Sequence, residues 1–345
     1  MRQAEPVRKT EGVFEKMKLK KICAVALAAV MGCSLLAGCS SVDMNAVIAE
    51  ADGVKMTASD YDLYYKMLKH QWVQQSGAGS YDDIKDREIM SGTTLDAFIR
   101  QMCDTYVTNE IAMWQLFEEN GLTLDDATLD VEVEKSKAAL GSEDTYKNML
   151  KAYGITEDQY RKNVAYTYVL DKLKDIAMSK EDAEAQVRSE LGTDYARIKH
   201  ILIKYVDDSN EKLTGDAYTE KENLYKEVKA KVDAGEDFDA LITEYGEDPG
   251  TASNPDGYIF TKDDSYDEAF KTKAFELAVG EIGVAESSYG WHIMLRCPTD
   301  DDVTWNAKGE ELVDTLRTEQ VSSIVSERAA KNEVTLNKDI VDKIK

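Results

Sequence analysis

The stretches "ARIKHILIK" (residues 196–204) and "SSYGWHIML" (residues 287–295) decide the fold of this chain. The chain has three histidines, His70, His200 and His292, and each stretch contains one of the last two. Both stretches are short and apolar, which predicts two strands. If the strands are neighbours in one sheet, the two imidazoles could form a hydrogen-bonded pair, because a neutral imidazole both donates and accepts. The residues alone leave open the alternative of two unrelated core histidines.

The elements around these stretches indicate a compact α+β domain. Strand and helix patterns follow one another in the order β-α-α-β-α-β over about 105 residues. Pro249 and Pro255, with the nearby Gly250 and Gly257, indicate a connecting loop. Short strands interleaved with helices in so few residues build a small sheet covered by helices. The sequence therefore predicts an α+β domain at residues 194–298.

The regions on either side of this domain are predicted to be helical. Residues 46–190 begin with a short strand in "AVIAEADG", continue into a helix that Thr57 can cap, and contain no proline. A final helix is predicted within residues 303–345. A single trailing helix cannot bury its own apolar face, so we expect it to pack on the first helical region. Together they would form one discontinuous helical domain.

The N-terminus has the pattern of an export signal. Residues 1–38 carry a net charge of +4 and contain an apolar run that ends at Ala37. This run is shorter than the roughly 20 residues that a membrane-spanning helix needs. "LAGC", which ends at Cys39, resembles a bacterial lipobox. The resemblance implies diacylglycerol on Cys39, a signal peptide at residues 1–38 and a lipidated tether at 39–45. An ordinary cleaved signal with a chance cysteine is the alternative, and Met17 is a possible true start.

Charge and composition exclude several classes of function. The net charge of -24 argues against nucleic acid, whose binding depends on Lys and Arg neutralising phosphates. No Cys/His cluster has metal-ligand spacing, and no P-loop, Rossmann glycine pattern or Ser-His-Asp arrangement is present in the sequence, so neither a metal nor a cofactor is predicted. Cys103 and Cys297 are too few and too distant to form a disulfide framework, and their pairing stays open. His70 is expected at the surface.

Three segments together resemble a parvulin-type peptidyl-prolyl isomerase domain. They are "ARIKHILIK", "EYGEDPGTASNPDGYIF" (residues 244–260) and "AFELAVGEIGVAESSYGWHIMLR" (residues 274–296), in the family's order and near its spacing. With the lipobox and the flanking helices, the chain is similar to PrsA-type foldase lipoproteins and to SurA-like periplasmic chaperones. This implies an α+β parvulin-like domain with a small antiparallel-type sheet and surrounding helices, inserted in a mostly α-helical chaperone domain.

The resemblance assigns roles to five residues. His200 and His292 match a hydrogen-bonded histidine pair that forms the floor of the isomerase site. Asp248 matches a Cys or Asp position beside the substrate amide. Phe270 matches the aromatic wall of the proline pocket, and Ser287 matches a hydroxyl near the histidine pair.

The chain also departs from the family pattern. Tyr266 occupies the position of an apolar Met in the proline cup, and Tyr289 replaces a Ser or Phe. The turn "NPDGY" (residues 254–258) has no clear equivalent of the family's Leu. A bulky or polar cup could lower the activity. The phosphate-reading basic loop of some relatives is acidic here, so phosphate specificity is not expected.

These expectations combine into one function. The chain is predicted to be an extracytoplasmic, lipid-anchored peptidyl-prolyl cis/trans isomerase and chaperone for exported proteins with X–Pro bonds. The resemblance is also compatible with a homodimer. The alternative is a lipoprotein chaperone whose parvulin domain binds peptides with weak or no turnover. A solute-binding lipoprotein is a third class, but no two-lobed α/β pattern supports it.

Overall fold

The computed structural model describes residues 42–345. The predicted signal peptide, Cys39 and the first part of the tether lie outside the described residues. Within the described part, none of the helices combines the length and the apolar character that crossing a membrane requires.

The chain divides into two compact units. The helical unit comprises the described residues up to Ser179 together with Arg317–Lys345, and the sheet unit comprises Lys180–Leu316. The predicted boundaries, 190/194 and 298/303, differ from this division. The difference arises because a helix before the sheet and a segment after it both pack within the sheet unit.

The helical unit begins with a small β-ribbon followed by long helices. The first two strands of the chain are antiparallel, and a second, two-stranded hairpin that the sequence pattern missed follows the first helix. The elements are β1 (Val47–Ala51), β2 (Val54–Thr57), α1 (Ala58–Ser76), β3 (Glu88–Met90), β4 (Thr93–Thr94), α2 (Leu95–Glu119), α3 (Asp126–Ala139), α4 (Glu143–Tyr153) and α5 (Glu157–Ala177).

The sheet unit interleaves helices with a four-stranded sheet. Its elements are α6 (Lys180–Asp194), β5 (Tyr195–Lys204), α7 (Gly215–Asp233), α8 (Phe238–Tyr245), β6 (Tyr258–Thr261), α9 (Glu268–Glu276), β7 (Ile282–Glu286), β8 (Gly290–Cys297) and α10 (Asp302–Thr304). The chain ends with α11 (Glu310–Ala329), whose residues fall in both units, and α12 (Lys338–Val341). The predicted α+β fold class, with a small antiparallel sheet beside a mostly helical region, is confirmed.

The C-terminal segment from Arg317 onward packs into the helical unit. Val321 and Val325 join a buried apolar cluster with side chains of α2 and α5. Val341 and Ile344 are fully buried in a second cluster built from β1, α1 and α2. Arg100 of α2 donates hydrogen bonds to the backbone carbonyls of both, at 3.2 and 2.9 Å. The C-terminal helix was predicted to pack on the first helical region. Residues 317–345 pack in this way, whereas residues 303–316 belong to the sheet unit.

The sheet unit extends beyond the predicted domain because α6 and the segment after β8 contribute to its core. α6 buries Ala183, Val187 and Leu191. The guanidinium of Arg188, also on α6, lies 3.7 Å from the ring centre of Trp305. A cation over an indole face is a favourable contact, and it ties the two segments together within this unit.

The strand order in the sheet unit is β6-β5-β8-β7, and all neighbouring pairs are antiparallel. The two strands predicted from the opening stretches, β5 and β8, are the central pair. Sequence analysis found three strands and missed the edge strand β7, whose segment "IGVAE" is short and contains Gly283. Glycine weakens a strand signal because it has no side chain to pack on the sheet.

Two glycines are required where backbones approach closely in this sheet. A Cβ on Gly290, at the start of β8, would lie 2.1 Å from the carbonyl oxygen of Ile203. Gly257 has a φ of +97°, and a Cβ there would lie 2.8 Å from the carbonyl oxygen of Ile198. Both glycines thus let a neighbouring segment contact β5 directly, which fixes the turns that lead into β8 and β6.

His70 departs from its expected place at the surface. It is half-buried on α1, and its ring centre lies 4.2 Å from that of Tyr153. Burial lowers the pKa of His70 below its ordinary value. The polar sequence around it concealed this contact because the partner ring comes from another helix, α4.

A buried carboxyl group lies between α1, α2 and α5 in the helical unit. Glu110 accepts hydrogen bonds from the Tyr64 hydroxyl and, at 3.2 Å, from the Trp114 indole N–H. Burial raises the pKa of Glu110 to about 7, although both hydrogen bonds oppose the rise. The negative charge of Asp60 adds to the rise and the positive charge of Lys162 opposes it.

Replacing Glu110 with Gln tests this burial. Because the folded-state pKa of about 7 lies above the ordinary value, the stability that the protonated carboxyl contributes is lost as pH rises through 7. Between pH 5.5 and 8.5, the wild type should lose about 1–3 kcal/mol of unfolding free energy that Glu110→Gln does not lose. Urea unfolding of both proteins at both pH values measures this difference. The exposed Glu118→Gln is the matched control. An equal difference at both pH values would show that Glu110 is not a buried titrating group.

Candidate active site

The antiparallel register of β5 and β8 brings the two strand histidines together. His200 lies opposite Met294, and His292 lies opposite Leu202, so the two histidines are diagonal neighbours on one face of the sheet. Their Nδ1 atoms are 3.1 Å apart, and the rings are nearly parallel, at 28° with centres 5.1 Å apart. Both side chains are buried, so each imidazole satisfies the other.

The other two predicted catalytic residues extend this pair at both ends. Nε2 of His200 lies 2.8 Å from Oδ2 of Asp248, and Nε2 of His292 lies 2.7 Å from Oγ of Ser287. Four side chains from β5, β8 and two loops thus form one continuous hydrogen-bonded chain. We call this chain, Ser287–His292–His200–Asp248, the histidine relay.

One arrangement of protons satisfies every bond of the histidine relay with both imidazoles neutral. An ionised Asp248 only accepts, so His200 carries its proton on Nε2 and presents a lone pair at Nδ1. His292 then donates from Nδ1 and accepts the Ser287 hydroxyl at Nε2. This assignment of the protons follows from the bonding pattern.

The electrostatics of the site agree with this arrangement. Burial acts to raise the pKa of Asp248, but hydrogen bonds from His200, Tyr258 and the Gly250 N–H outweigh it and hold that pKa well below its ordinary value. Burial, followed by the neighbouring His200, lowers the pKa of His292 to about 4. At neutral pH the relay therefore ends in a carboxylate, and His292 is neutral.

Ser287 is held in a rigid turn before β8. Its Oγ accepts a hydrogen bond from the Tyr289 N–H at 3.1 Å, and its carbonyl oxygen accepts one from the Tyr205 hydroxyl. The side chain is buried, with 6% of the residue exposed. The residues of the relay are far apart in the sequence, so their order Ser-His-His-Asp becomes visible only in the fold. The Ser287 hydroxyl is too deeply buried to act as a nucleophile on an incoming substrate.

Aromatic rings pack against the two histidines on the face of the sheet that carries the relay. The ring centre of Phe270, on α9, lies 5.1 Å from that of each histidine. Phe270 also packs on the buried Phe260 of β6, with 5.8 Å between ring centres. Sequence analysis predicted Phe270 as the wall of the site and missed Phe260, although the β6 pattern places Phe260 among buried residues.

The two substituted tyrosines occupy different places. Tyr266 is 37% exposed, and its ring stacks on Phe270 with 6.1 Å between centres. Tyr289 is 47% exposed and contributes to the site through its backbone, which bonds to Ser287 and to Tyr205. Tyr266 thus belongs to the aromatic wall, whereas the Tyr289 side chain faces solvent beside the turn.

Tyr258 is a site residue that sequence analysis did not identify. Its hydroxyl donates to Oδ2 of Asp248 at 2.6 Å, and its ring centre lies 5.4 Å from that of His200. The residue begins β6, directly opposite Ile198 and two residues from His200 in register. Tyr258 ends the turn "NPDGY", but only the β5–β6 register shows that its side chain reaches the relay.

A cavity of about 260 Å³ lies at the opposite face of the sheet and contains none of the predicted site residues. Its cationic side chains already have partners: Arg197 binds Asp301 at 2.6 Å, and Lys199 binds Asp239 at 2.9 Å. Across residues 42–345, no group of three or more His, Cys, Asp or Glu side chains could hold a metal ion. Cys103 and Cys297 are buried free thiols.

Comparisons with known families cover both units. Residues 173–295 match the model of the PPIC-type PPIase domain, and residues 13–174 match that of the SurA-like N-terminal domain. The first match contains the whole histidine relay. The second contains most of the helical unit.

Several foldase proteins are similar to this chain. Foldase protein PrsA of Clostridium kluyveri is 22% identical over 331 residues, which cover 91% of this chain and 93% of the relative. Foldase protein PrsA of Geobacillus kaustophilus is 34% identical over 113 residues, which cover 32% of this chain and 40% of the relative. The crystal structure of foldase protein PrsA from Streptococcus pneumoniae is 18% identical, covers 75% of this chain and 98% of that one, and has a TM-score of 0.35. The chain thus carries a SurA-like N-terminal domain and a PPIC-type (parvulin) peptidyl-prolyl isomerase domain, and over most of its length it is similar to PrsA foldases.

Proposed function

We propose that this isomerase is anchored by lipid on the extracytoplasmic face of the cell membrane and acts on X–Pro bonds of exported, incompletely folded proteins. The catalytic part of this proposal rests on the histidine relay, in which Ser287 and Asp248 each bind one histidine and Phe270 packs against both rings. The SurA-like helical unit would hold the clients while the sheet unit acts on their prolines. "LAGC", with its cysteine at position 39, supports the location.

The reaction makes few chemical demands. Rotation about an X–Pro bond is opposed by a barrier of about 18–20 kcal/mol, and uncatalysed exchange takes about 10–100 s. No bond to the substrate has to break. A site accelerates the exchange when it binds the twisted amide more tightly than either planar form.

The geometry meets these demands with an apolar wall and a fixed charge. Phe270, buried against both histidines, and the partly exposed Tyr266 stacked on it form the apolar wall at which a proline ring would bind. Asp248 keeps 19% of its side chain exposed beside this surface and holds a negative charge. A planar amide oxygen carries more negative charge than a twisted one, so a nearby carboxylate disfavours the planar form. The two histidines keep this charge in place without taking part in proton transfer.

The alternative, a parvulin domain that binds peptides without turnover, would require the tyrosines to fill the cup. Among the described ring contacts, Tyr266 meets Tyr258, Phe260 and Phe270 but neither histidine. Tyr289 is directed to solvent. Tyr266 thus makes no ring contact with His200 or His292, and this supports turnover.

Removing the aromatic wall tests the site. In a protease-coupled assay with a proline peptide, Phe270→Ala should lower kcat/KM about 10- to 100-fold, because the proline ring loses an apolar surface worth roughly 1.5–3 kcal/mol. Tyr225→Phe, on the other face of the sheet, is the matched control. Wild-type-like activity of Phe270→Ala would place the proline elsewhere. No activity above background in the wild type would favour the binding-only alternative.

Acid pH should weaken both the activity and the sheet unit. The folded-state pKa values of Asp248 and His292 are both depressed, so the stability they contribute is present at neutral pH and lost on acidification. For His292 the loss extends from about pH 6.5 down to its folded pKa of about 4. We expect kcat/KM to be constant from about pH 7 to 8 and to fall towards pH 4. A rate that rises below pH 6 would contradict a neutral relay.

Anchoring is tested at Cys39. Replacing Cys39 with Ser should remove lipid attachment, because the thiol is the acceptor of the diacylglycerol. The full-length variant, expressed in a bacterium that processes lipoproteins, should lose metabolic labelling with a fatty acid and shift from the membrane fraction to the soluble one. Cys33→Ser, within the predicted signal peptide, is the control. Labelling that persists in Cys39→Ser would refute the assignment.

A further inference from the structure

The Asp248 end of the histidine relay has a partner with no part in the roles proposed so far. Tyr258 donates its hydroxyl to Oδ2 of Asp248 at 2.6 Å, and Nε2 of His200 lies 2.8 Å from the same oxygen. The other oxygen, Oδ1, accepts the backbone N–H of Gly250 at 3.0 Å. Three donors therefore converge on one carboxylate. Such a carboxylate is held both ionised and in a fixed orientation.

The fold reserves space for the Tyr258 hydroxyl. A Cβ on Gly250 would lie 2.2 Å from the oxygen of that hydroxyl, although the backbone of Gly250 does not have a positive φ. The lack of a side chain at residue 250 is therefore needed for the contact and not for the turn itself. On the other side, Gly257 lets the chain pass close to the backbone of Ile198 so that Tyr258 enters β6 opposite it.

The ring of Tyr258 is supported independently of its hydroxyl. It meets the rings of His200 and Tyr266 edge-on, with centres 5.4 and 6.1 Å away. A phenylalanine at this position would keep these contacts. The hydroxyl can therefore be removed without removing the packing, so its role can be separated from that of the ring.

The direction of the hydrogen bonds along the relay depends on its Asp248 end. The Nδ1–Nδ1 contact between the histidines has no preferred direction by itself, because either ring can donate. The carboxylate imposes the direction, since it can only accept from His200 and so leaves His200 Nδ1 as the acceptor. A carboxylate that lost one of its donors could turn away or take up a proton. Both arrangements of the pair would then become accessible.

We propose that Tyr258 is a positioning residue that acts through Asp248 to fix the direction of the hydrogen bonds in the histidine relay. Its contribution to catalysis is to hold the carboxylate at one place beside the substrate amide. This catalytic consequence rests on the proposed isomerase function. The effect on the histidines does not, because it belongs to the unliganded protein.

The direct test is the tautomeric state of the two histidines. Nitrogen-15 NMR of the mature chain at neutral pH should show His200 protonated at Nε2 and His292 at Nδ1. Tyr258→Phe should convert these signals to averages of both tautomers, and Gly250→Ala, which displaces the hydroxyl, should act in the same direction. Tyr225→Phe should leave the histidine signals unchanged.

Kinetics supply the second readout. Tyr258→Phe should lower kcat about 10-fold with little change in KM, because a hydrogen bond to a charged group is lost while the proline-binding wall is kept. Unchanged tautomers in Tyr258→Phe would overturn the proposal, whatever the rate. A tautomer change in a chain that lacks isomerase activity would instead support the positioning role and refute the proposed function.

Discussion

The contact between the Nδ1 atoms of His200 and His292 is the interaction on which the site depends. It exists because β5 and β8 pair antiparallel in a register that makes the two residues diagonal neighbours on one face. A shift of one residue in that register would move one histidine to the opposite face. The close approach of Gly290 to the Ile203 carbonyl fixes the start of β8 and so protects the register.

Burying two imidazoles imposes the rest of the arrangement. A buried polar ring must have partners for both nitrogens, and a charged one would be costly. The pair therefore requires an acceptor at one end and a donor at the other, and Asp248 and Ser287 provide them. The result is a rigid, neutral floor that ends in one fixed carboxylate. An isomerase can use such a floor because its reaction needs shape and charge, and no proton has to leave the site.

Part of this site was readable from the sequence. Alternation placed each histidine on a strand face, and the segments similar to parvulins linked them to Asp248, Phe270 and Ser287. Tyr258 was missed because its role depends on the β5–β6 register and on the space left by Gly250, neither of which has a local sequence signal. β7 was missed because Gly283 and small residues weaken its pattern. The unit boundaries were misplaced because α6 packs by a few small apolar side chains on a polar helix.

We propose that an X–Pro bond is turned over on the floor formed by His200 and His292. Exchange spectroscopy by NMR, with the mature chain added in substoichiometric amount to a proline peptide, measures this directly. We expect cis/trans exchange well above the uncatalysed rate, together with chemical-shift changes of the protein at His200, His292 and Phe270. Shift changes at these residues without accelerated exchange would contradict it.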